Sequence, residues 1–171
     1  FDDEGAPTQN TLLVQHGVLV GRLHTRETAG RIGARPTGNA RTSSFRRAPS
    51  ARMTNTYVAS GRGTAEDLFR GIRYGIYCCD AMGGETNLGR FSLRTGYGHV
   101  IRDGQLAELA KPLVLAGDIA ETLQRIDAVG GDFHWNQLAT GCRHTGPGRI
   151  SVSEGAPHVR VDGVTVGGEP A

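Results

Sequence analysis

The sequence predicts an α+β fold dominated by strands, with antiparallel hairpins and two or three short helices between them. Three observations lead there. The 171 residues include 26 glycines and seven prolines, which suits many short elements joined by tight turns better than a helical bundle. Short polar turn sequences are flanked by apolar runs at three places. Two N-terminal capping patterns stand before short apolar periodicities. No internal repeat or low-complexity linker divides the chain, so one domain over residues 1–171 is expected, long enough to bury a core.

The elements follow in order. Leu12-Leu13-Val14 and Val18-Leu19-Val20 flank Gln15-His16-Gly17 and predict a first hairpin, with glycine supplying positive φ at the turn. A weak helix is expected over 25–32, where Gly30 lowers helical propensity. A strand follows at 55–59. Thr64-Ala65-Glu66-Asp67 reads as a helix cap with Leu68, Phe69 and Ile72 on one apolar face. Strands are expected at 75–79 and 89–93, and a hairpin around Arg102-Asp103-Gly104-Gln105. Asp118-Ile119-Ala120-Glu121 caps another helix, whose face is Ile119, Leu123 and Ile126 and whose end is Gly130-Gly131. A strand at 149–152 and a hairpin around Asp162-Gly163, flanked by Val159, Val161, Val164 and Val166, complete the chain.

Composition narrows the function classes. Mean hydropathy is −0.32, and no apolar run approaches the roughly 20 residues that cross a bilayer, so no membrane partner is expected. The chain opens on Phe1-Asp2-Asp3-Glu4-Gly5 with neither an initiator Met nor a basic-then-apolar leader. It reads as a trimmed piece of a longer cytoplasmic protein. The three cysteines are Cys78, Cys79 and Cys142. A bridge between sequence neighbours is strained, so free thiols are expected, each either buried or a metal ligand.

The net charge of +2 is too small to indicate nucleic acid, but its distribution is uneven. Residues 31–52 hold Arg31, Arg35, Arg41, Arg46, Arg47 and Arg52 and no acid. Such a stretch suits phosphates, peptide carboxylates or an acidic partner, or is a solvated basic loop. Lys111 is the only lysine, so the preference for Arg extends over the whole chain. The terminal Asp2-Asp3-Glu4 is expected to be a frayed, solvated segment.

The segment with most chemistry is Gly141-Cys142-Arg143-His144-Thr145-Gly146-Pro147-Gly148, a loop by its glycines and proline. Three readings of Cys142 are open on the residues alone. It is an inert loop thiol, a metal ligand paired with His144, or a nucleophile with His134 or His144 as base. Arg143 beside it favours the thiolate that the last two need. A Cys-x-His pair lacks the four ligands of a structural zinc site. No His-Glu helix motif, Gly-x-Ser-x-Gly elbow or phosphate loop is present.

Six stretches together resemble the TldD/PmbA family, once labelled modulators of DNA gyrase. They are Phe1-Asp2-Asp3-Glu4-Gly5, Thr37-Gly38-Asn39-Ala40-Arg41, Arg52-Met53-Thr54-Asn55-Thr56-Tyr57, Gly75-Ile76-Tyr77, Gly141-Cys142 and Val164-Thr165-Val166-Gly167-Gly168. They run in family order along the chain, and the Arg52–Tyr57 and Cys142 stretches look closer to the TldD branch. The resemblance implies a cytoplasmic zinc metallopeptidase that degrades or matures unfolded peptides with a PmbA/TldE-like partner subunit or as a homodimer. It implies a metal held by two histidines of a His-Glu-x-x-x-His helix and one cysteine. Only the cysteine maps here, onto Cys142. This chain is then the carboxy-terminal region, without catalytic residues of its own, inactive alone, and binding zinc weakly or not at all. Where family members have Cys-Gly-Lys, this chain has Cys142-Arg143-His144, which leaves His144 a secondary candidate ligand. Arg46, Arg47 and Arg52 become candidates for holding substrate carboxylates.

Two other classes compete. One is a non-catalytic, β-rich peptide- or partner-binding domain of the PmbA kind, which has no need of a thiol at 142. The other is a nucleic-acid-binding β-domain, opposed by an aromatic content of 6%, which offers few stacking platforms.

Overall fold

Strands dominate, as the turn-rich sequence predicts, and helices are few and short. The computed structural model describes residues 1–136, 141–142 and 150–168, with Gly141 and Cys142 described by their backbone alone. In chain order the first elements are β1 (Val14–Gln15), β2 (Val18–Leu19), α1 (Arg26–Ile32), β3 (Ala40–Arg41), β4 (Ser50–Ala51) and β5 (Asn55–Tyr57). Next come α2 (Ala65–Phe69), β6 (Tyr74–Asn87), β7 (Arg90–Arg102), β8 (Gln105–Ala110), β9 (Leu113–Asp118), α3 (Ile119–Gln124) and β10 (Ile126–Val129). The last are β11 (His134–Asn136), β12 (Gly141–Cys142), β13 (Ile150–Ser151), β14 (Ser153–Ala156), β15 (Val159–Val161) and β16 (Thr165–Gly168). They fall into two units, residues 1–59 with 134–156 and residues 60–133 with 157–171.

In the first unit, β1 and β2 form the expected hairpin, and His16 and Gly17 take φ of 50° and 74° at its turn. α1 forms despite Gly30 because Thr25 caps it reciprocally. Thr25 Oγ1 accepts the Thr28 N–H at 3.1 Å, while Thr28 Oγ1 accepts the Thr25 N–H at 3.0 Å. The described buried apolar residues of this unit are only Ala6, Ala29, Ala40 and Ile150. Small side chains give a thin core, so polar bonds set the geometry here.

The acidic terminus supplies those bonds and is not frayed. Asp2 accepts the N–H groups of Glu4, Ala6 and Ala40 at 3.0, 2.8 and 2.9 Å. Asp3 accepts the Thr42 N–H at 2.7 Å, and Glu4 accepts the Arg26 N–H at the start of α1, also at 2.7 Å. A run of carboxylates looks solvated in one dimension, but here each finds backbone donors 22 to 39 residues away.

The second unit is built on a five-stranded antiparallel sheet in the order β16-β9-β7-β6, with β8 also on β7, beside a two-stranded sheet of β10 and β15. The β6–β7 hairpin is longer than the sequence predicts, since the expected short strands merge into strands of 14 and 13 residues. Leu88 and Gly89 turn it with φ of 48° and 82°. The second expected hairpin is present too, with Asp103 and Gly104 at φ of 47° and 78°. α2 begins at the predicted Thr64 cap, and Leu68 and Phe69 are buried with Val100 and Ile101.

Two expectations fail in this unit. The Asp162-Gly163 turn makes no hairpin, because β15 pairs with β10 while β16 pairs with β9. Each strand has a partner already in place, and Arg125 fixes the turn by donating from Nη1 to Gly163 O at 3.0 Å. α3 stops at Gln124 and does not reach Gly130-Gly131, so Ile126 belongs to a strand. An apolar period across a helix end looks continuous even where the backbone has changed state.

Burial pushes the Asp2 carboxyl pKa up, but bonds from Ala40, Ala6 and Glu4 and the charge of Arg26 outweigh it, leaving the pKa below its ordinary value. A depressed carboxyl contributes stability that is complete above its unfolded pKa and is lost as pH falls through the folded one. Asp2→Asn is therefore expected to cost about 1–3 kcal/mol at pH 7 and to flatten the loss of stability below about pH 4. Urea unfolding at pH 7 and in acid measures both, and an unchanged unfolding free energy at pH 7 refutes this role.

Candidate functional site

The segments singled out in the sequence converge on a two-armed ribbon in the first unit. Its outgoing arm is β11 and β12, and its returning arm is β13 and β14. His134, Trp135 and Asn136 pair with Ala156, Gly155 and Glu154, then Gly141 and Cys142 pair with Ser151 and Ile150. Cys142 thus sits at the far end of the ribbon, opposite a buried isoleucine. On its other side β14 pairs in parallel with β5, which belongs to the Arg52–Tyr57 stretch. The Cys142 side chain, Arg143 and His144 lie outside the described residues. Among the described residues, no group of three or more His, Cys, Asp or Glu side chains is placed to hold a metal ion. Cys142 offers a donor type that zinc favours, but the described donors do not complete a set.

Arg41 ties this ribbon to the basic stretch. Its Nη1 donates to Met53 O at 3.0 Å and to Ser151 O at 2.9 Å. Ser151 is the partner of Gly141, so one guanidinium links β3, the Arg52–Tyr57 stretch and the Cys142 end of the ribbon. Sequence reasoning placed Arg41 among the basic residues and missed this positioning role, because Ser151 is 110 residues away.

Arg46 and Arg47 stand together, exposed, on the loop between β3 and β4. That loop is built by Thr42 and Ser44. Thr42 Oγ1 donates to Ser44 O at 2.9 Å, and Ser44 O also accepts the Arg47 N–H at 3.0 Å. The Arg46 guanidinium lies 5.3 Å from the Phe45 ring centroid. Arg52 differs. It is 6% exposed, its Nε donates to Ser50 Oγ at 3.3 Å, and its backbone N–H donates to Asn39 O at 2.9 Å. The structure displays the first two arginines and packs the third into the interior.

Two aromatic residues also meet on the sheet that contains the ribbon. Tyr57 and Trp135 are edge to face, with centroids 5.7 Å apart and planes at 66°.

The second unit holds a side-chain chain that the sequence did not suggest, since His158 looks isolated there. Its Nδ1 shares a hydrogen bond with Asp132 Oδ2, its Nε2 one with the Tyr77 hydroxyl at 2.7 Å, and its backbone N–H donates to Asp132 Oδ1 at 3.2 Å. Burial, reinforced by neighbouring Cys79, pushes the Tyr77 phenol pKa up. Burial also pushes Asp132 up, but the bonds from His158 outweigh it and leave the carboxyl below its ordinary value. The chain ties the start of β15 to β6. Burial likewise raises the Cys78 thiol pKa, which disfavours its thiolate.

Comparison with known proteins places these features. The sequence matches the family model of the PmbA/TldA metallopeptidase C-terminal domain over residues 1–168. A metalloprotease of Synechocystis is 44% identical over 171 residues, covering 100% of this chain and 37% of that protein. A zinc metalloprotease TldD homologue of Saccharolobus solfataricus is 32% identical, covering 98% of this chain and 38% of its own. Among solved structures, a Thermotoga maritima protein described as a modulator of a DNA gyrase superposes with a TM-score of 0.75 at 26% identity, over 98% of this chain and 35% of that one. TldE from Thermococcus kodakarensis has the same fold, with a TM-score of 0.77 at 21% identity over 98% and 36%. The chain spans little more than a third of the length of the relatives it matches.

If Arg41 fastens the ribbon, Arg41→Ala is expected to lower Tm by about 2–4 °C, the equivalent of roughly 1 kcal/mol in a chain of this size. Calorimetry is the measurement. A Tm within error of the wild type excludes the role.

Proposed function

The chain belongs to the PmbA/TldD family, as its metallopeptidase carboxy-terminal domain, and from that membership we propose that it is part of a zinc-dependent peptidase acting on unfolded peptides in the cytoplasm. Residues 1–171 act as one carboxy-terminal domain of the longer protein. Cys142 supplies one metal ligand at the end of the ribbon. The remaining donors and the base that activates water come from outside this chain, which is inactive alone. Zinc, when bound, polarises the scissile carbonyl and its own water. The residues present here bind and orient. A sheet edge of this strand-rich domain aligns an extended substrate through backbone bonds that demand no sequence. Arg46 and Arg47 hold substrate carboxylates, and Arg52 holds the base of their loop. A TldE-like subunit or a second copy completes the working particle. The likeness in fold to TldE supports that pairing.

The observation that best supports the reading is the convergence of three distant family stretches, 37–41, 52–57 and 141–142, through Arg41 and the β5–β14 pairing. In the full-length protein, Cys142→Ala is expected to lose zinc on dialysis against a mild chelator and to lose peptide hydrolysis with it, followed by elemental analysis and a peptide-cleavage assay. Retention of both removes Cys142 from the metal site. A full-length protein that binds peptide but never hydrolyses it supports a PmbA-like binding role instead.

Arg46→Ala with Arg47→Ala in the full-length protein is expected to raise the Kd for an acidic unfolded peptide about tenfold, or about 1.4 kcal/mol, with little change for a peptide lacking carboxylates. Isothermal titration with both peptides decides it, and equal affinities before and after mutation remove the arginines from substrate binding.

A further inference from the structure

We infer that a cavity in the second unit is a binding site for a small zwitterion, an amino acid or short peptide with both ends free. The cavity has a volume of about 310 Å³. It is lined by the end of β9, α3 with the following Arg125, the start of β7 and the turn at Gly163. Ligand cavities begin at roughly 300 Å³, so the occupant is small. The site is independent of the peptidase reading, since it draws on neither Cys142 nor a metal.

Its charged lining is two guanidiniums, Arg90 and Arg125, and two carboxylates, Asp118 and Glu121. They are neighbours, yet they do not satisfy one another. Arg90 stands opposite Asp118 across the β7–β9 pair and makes no hydrogen bond or ion pair among the described residues. Asp118 caps α3 by accepting the Glu121 N–H at Oδ1, at 3.0 Å, while its Oδ2 has no hydrogen-bond partner among the described residues. Glu121 and Arg125 come no closer than 3.8 Å, beyond hydrogen-bond reach. Arg125 is nonetheless held in place. Its Nη1 donates to Gly163 O at 3.0 Å, and a Cβ at residue 163 would lie 3.1 Å from that nitrogen. Gly163, at φ of 69°, therefore lets the guanidinium lie against the turn, with its remaining N–H groups left for a ligand. The Asp162-Gly163 turn, which makes no hairpin, thereby acquires a use.

The balance of these charges selects the ligand. A ligand of one sign gains from one pair and is repelled by the other. A zwitterion meets both, with its carboxylate on the guanidiniums, whose forked N–H donors match two oxygens, and its ammonium on the carboxylates. No aromatic side chain lines the cavity, so recognition rests on the charged ends and not on a particular side chain between them.

The test uses the full-length, zinc-loaded protein and amino acids of increasing charge separation, from glycine to 6-aminohexanoate, none of which contains a bond that a peptidase cleaves. Butyrate and butylamine are the single-charge controls. In isothermal titration at low ionic strength, at least one zwitterion is expected to bind about tenfold more tightly than either control. Arg90→Gln is expected to raise the Kd of that zwitterion about tenfold without weakening butylamine. Glu121→Gln is expected to raise it by a similar factor without weakening butyrate. Both side chains are exposed, so the two variants are expected to unfold at the wild-type temperature. The site is overturned if no zwitterion binds better than the controls, or if its advantage survives either substitution. Loss with Arg90→Gln alone marks a plain anion site and overturns the zwitterion as its ligand.

Discussion

The first unit depends on one carboxylate. With alanines making up most of its described buried apolar set, hydrophobic burial fixes few positions there, and Asp2 fixes the rest by gathering three backbone N–H groups. One of them belongs to Ala40, the first residue of β3. The next residue is Arg41, whose guanidinium reaches the Cys142 end of the ribbon. The order of cause is short: a terminal carboxylate places a strand, the strand places an arginine, and the arginine places the ribbon. A charged acceptor with several N–H donors is among the stronger arrangements available to a partly buried carboxyl.

That arrangement separates two tasks. The chain places the Cys142 backbone at the end of a braced ribbon and displays a pair of arginines, and in the proposed reading these bind or orient. It does not supply a complete set of donors among its described residues. Under the proposed function, a domain that positions and another region that reacts is a sensible division for hydrolysis of extended peptides, where backbone alignment is most of the recognition. The Asp132–His158–Tyr77 chain belongs to the second unit and braces β15 against β6, work separate from that of the ribbon.

What could be read from the sequence was what depends on neighbours along the chain. Thr64 and Asp118 announce their helices because a cap needs only the next three residues. His16-Gly17 and Asp103-Gly104 announce their turns because positive φ is a local demand. Asp162-Gly163 satisfies the same local rule and still fails, since strand pairing is decided by which edges are vacant nearby in space. Arg52 shows the same limit. In a basic run it reads as surface, yet Asn39 and Ser50 draw it inside. Resemblance to a family identified the stretches that meet, but their meeting required Arg41 to span 110 residues. The contact of Tyr57 with Trp135 was illegible for the same reason, because its two members come from separate strands.

The ribbon's alternation constrains how its length can drift over evolution. Side chains of a strand switch faces at every residue, so a one-residue insertion between Ile150 and Gly155 would turn everything beyond it to the opposite side. Two inserted residues would preserve the faces and only lengthen the arm, by roughly 7 Å. The two arms already differ by such an even step, since seven positions separate Trp135 from Cys142 and five separate their partners Gly155 and Ile150, and homologous ribbons are expected to differ in length in the same way.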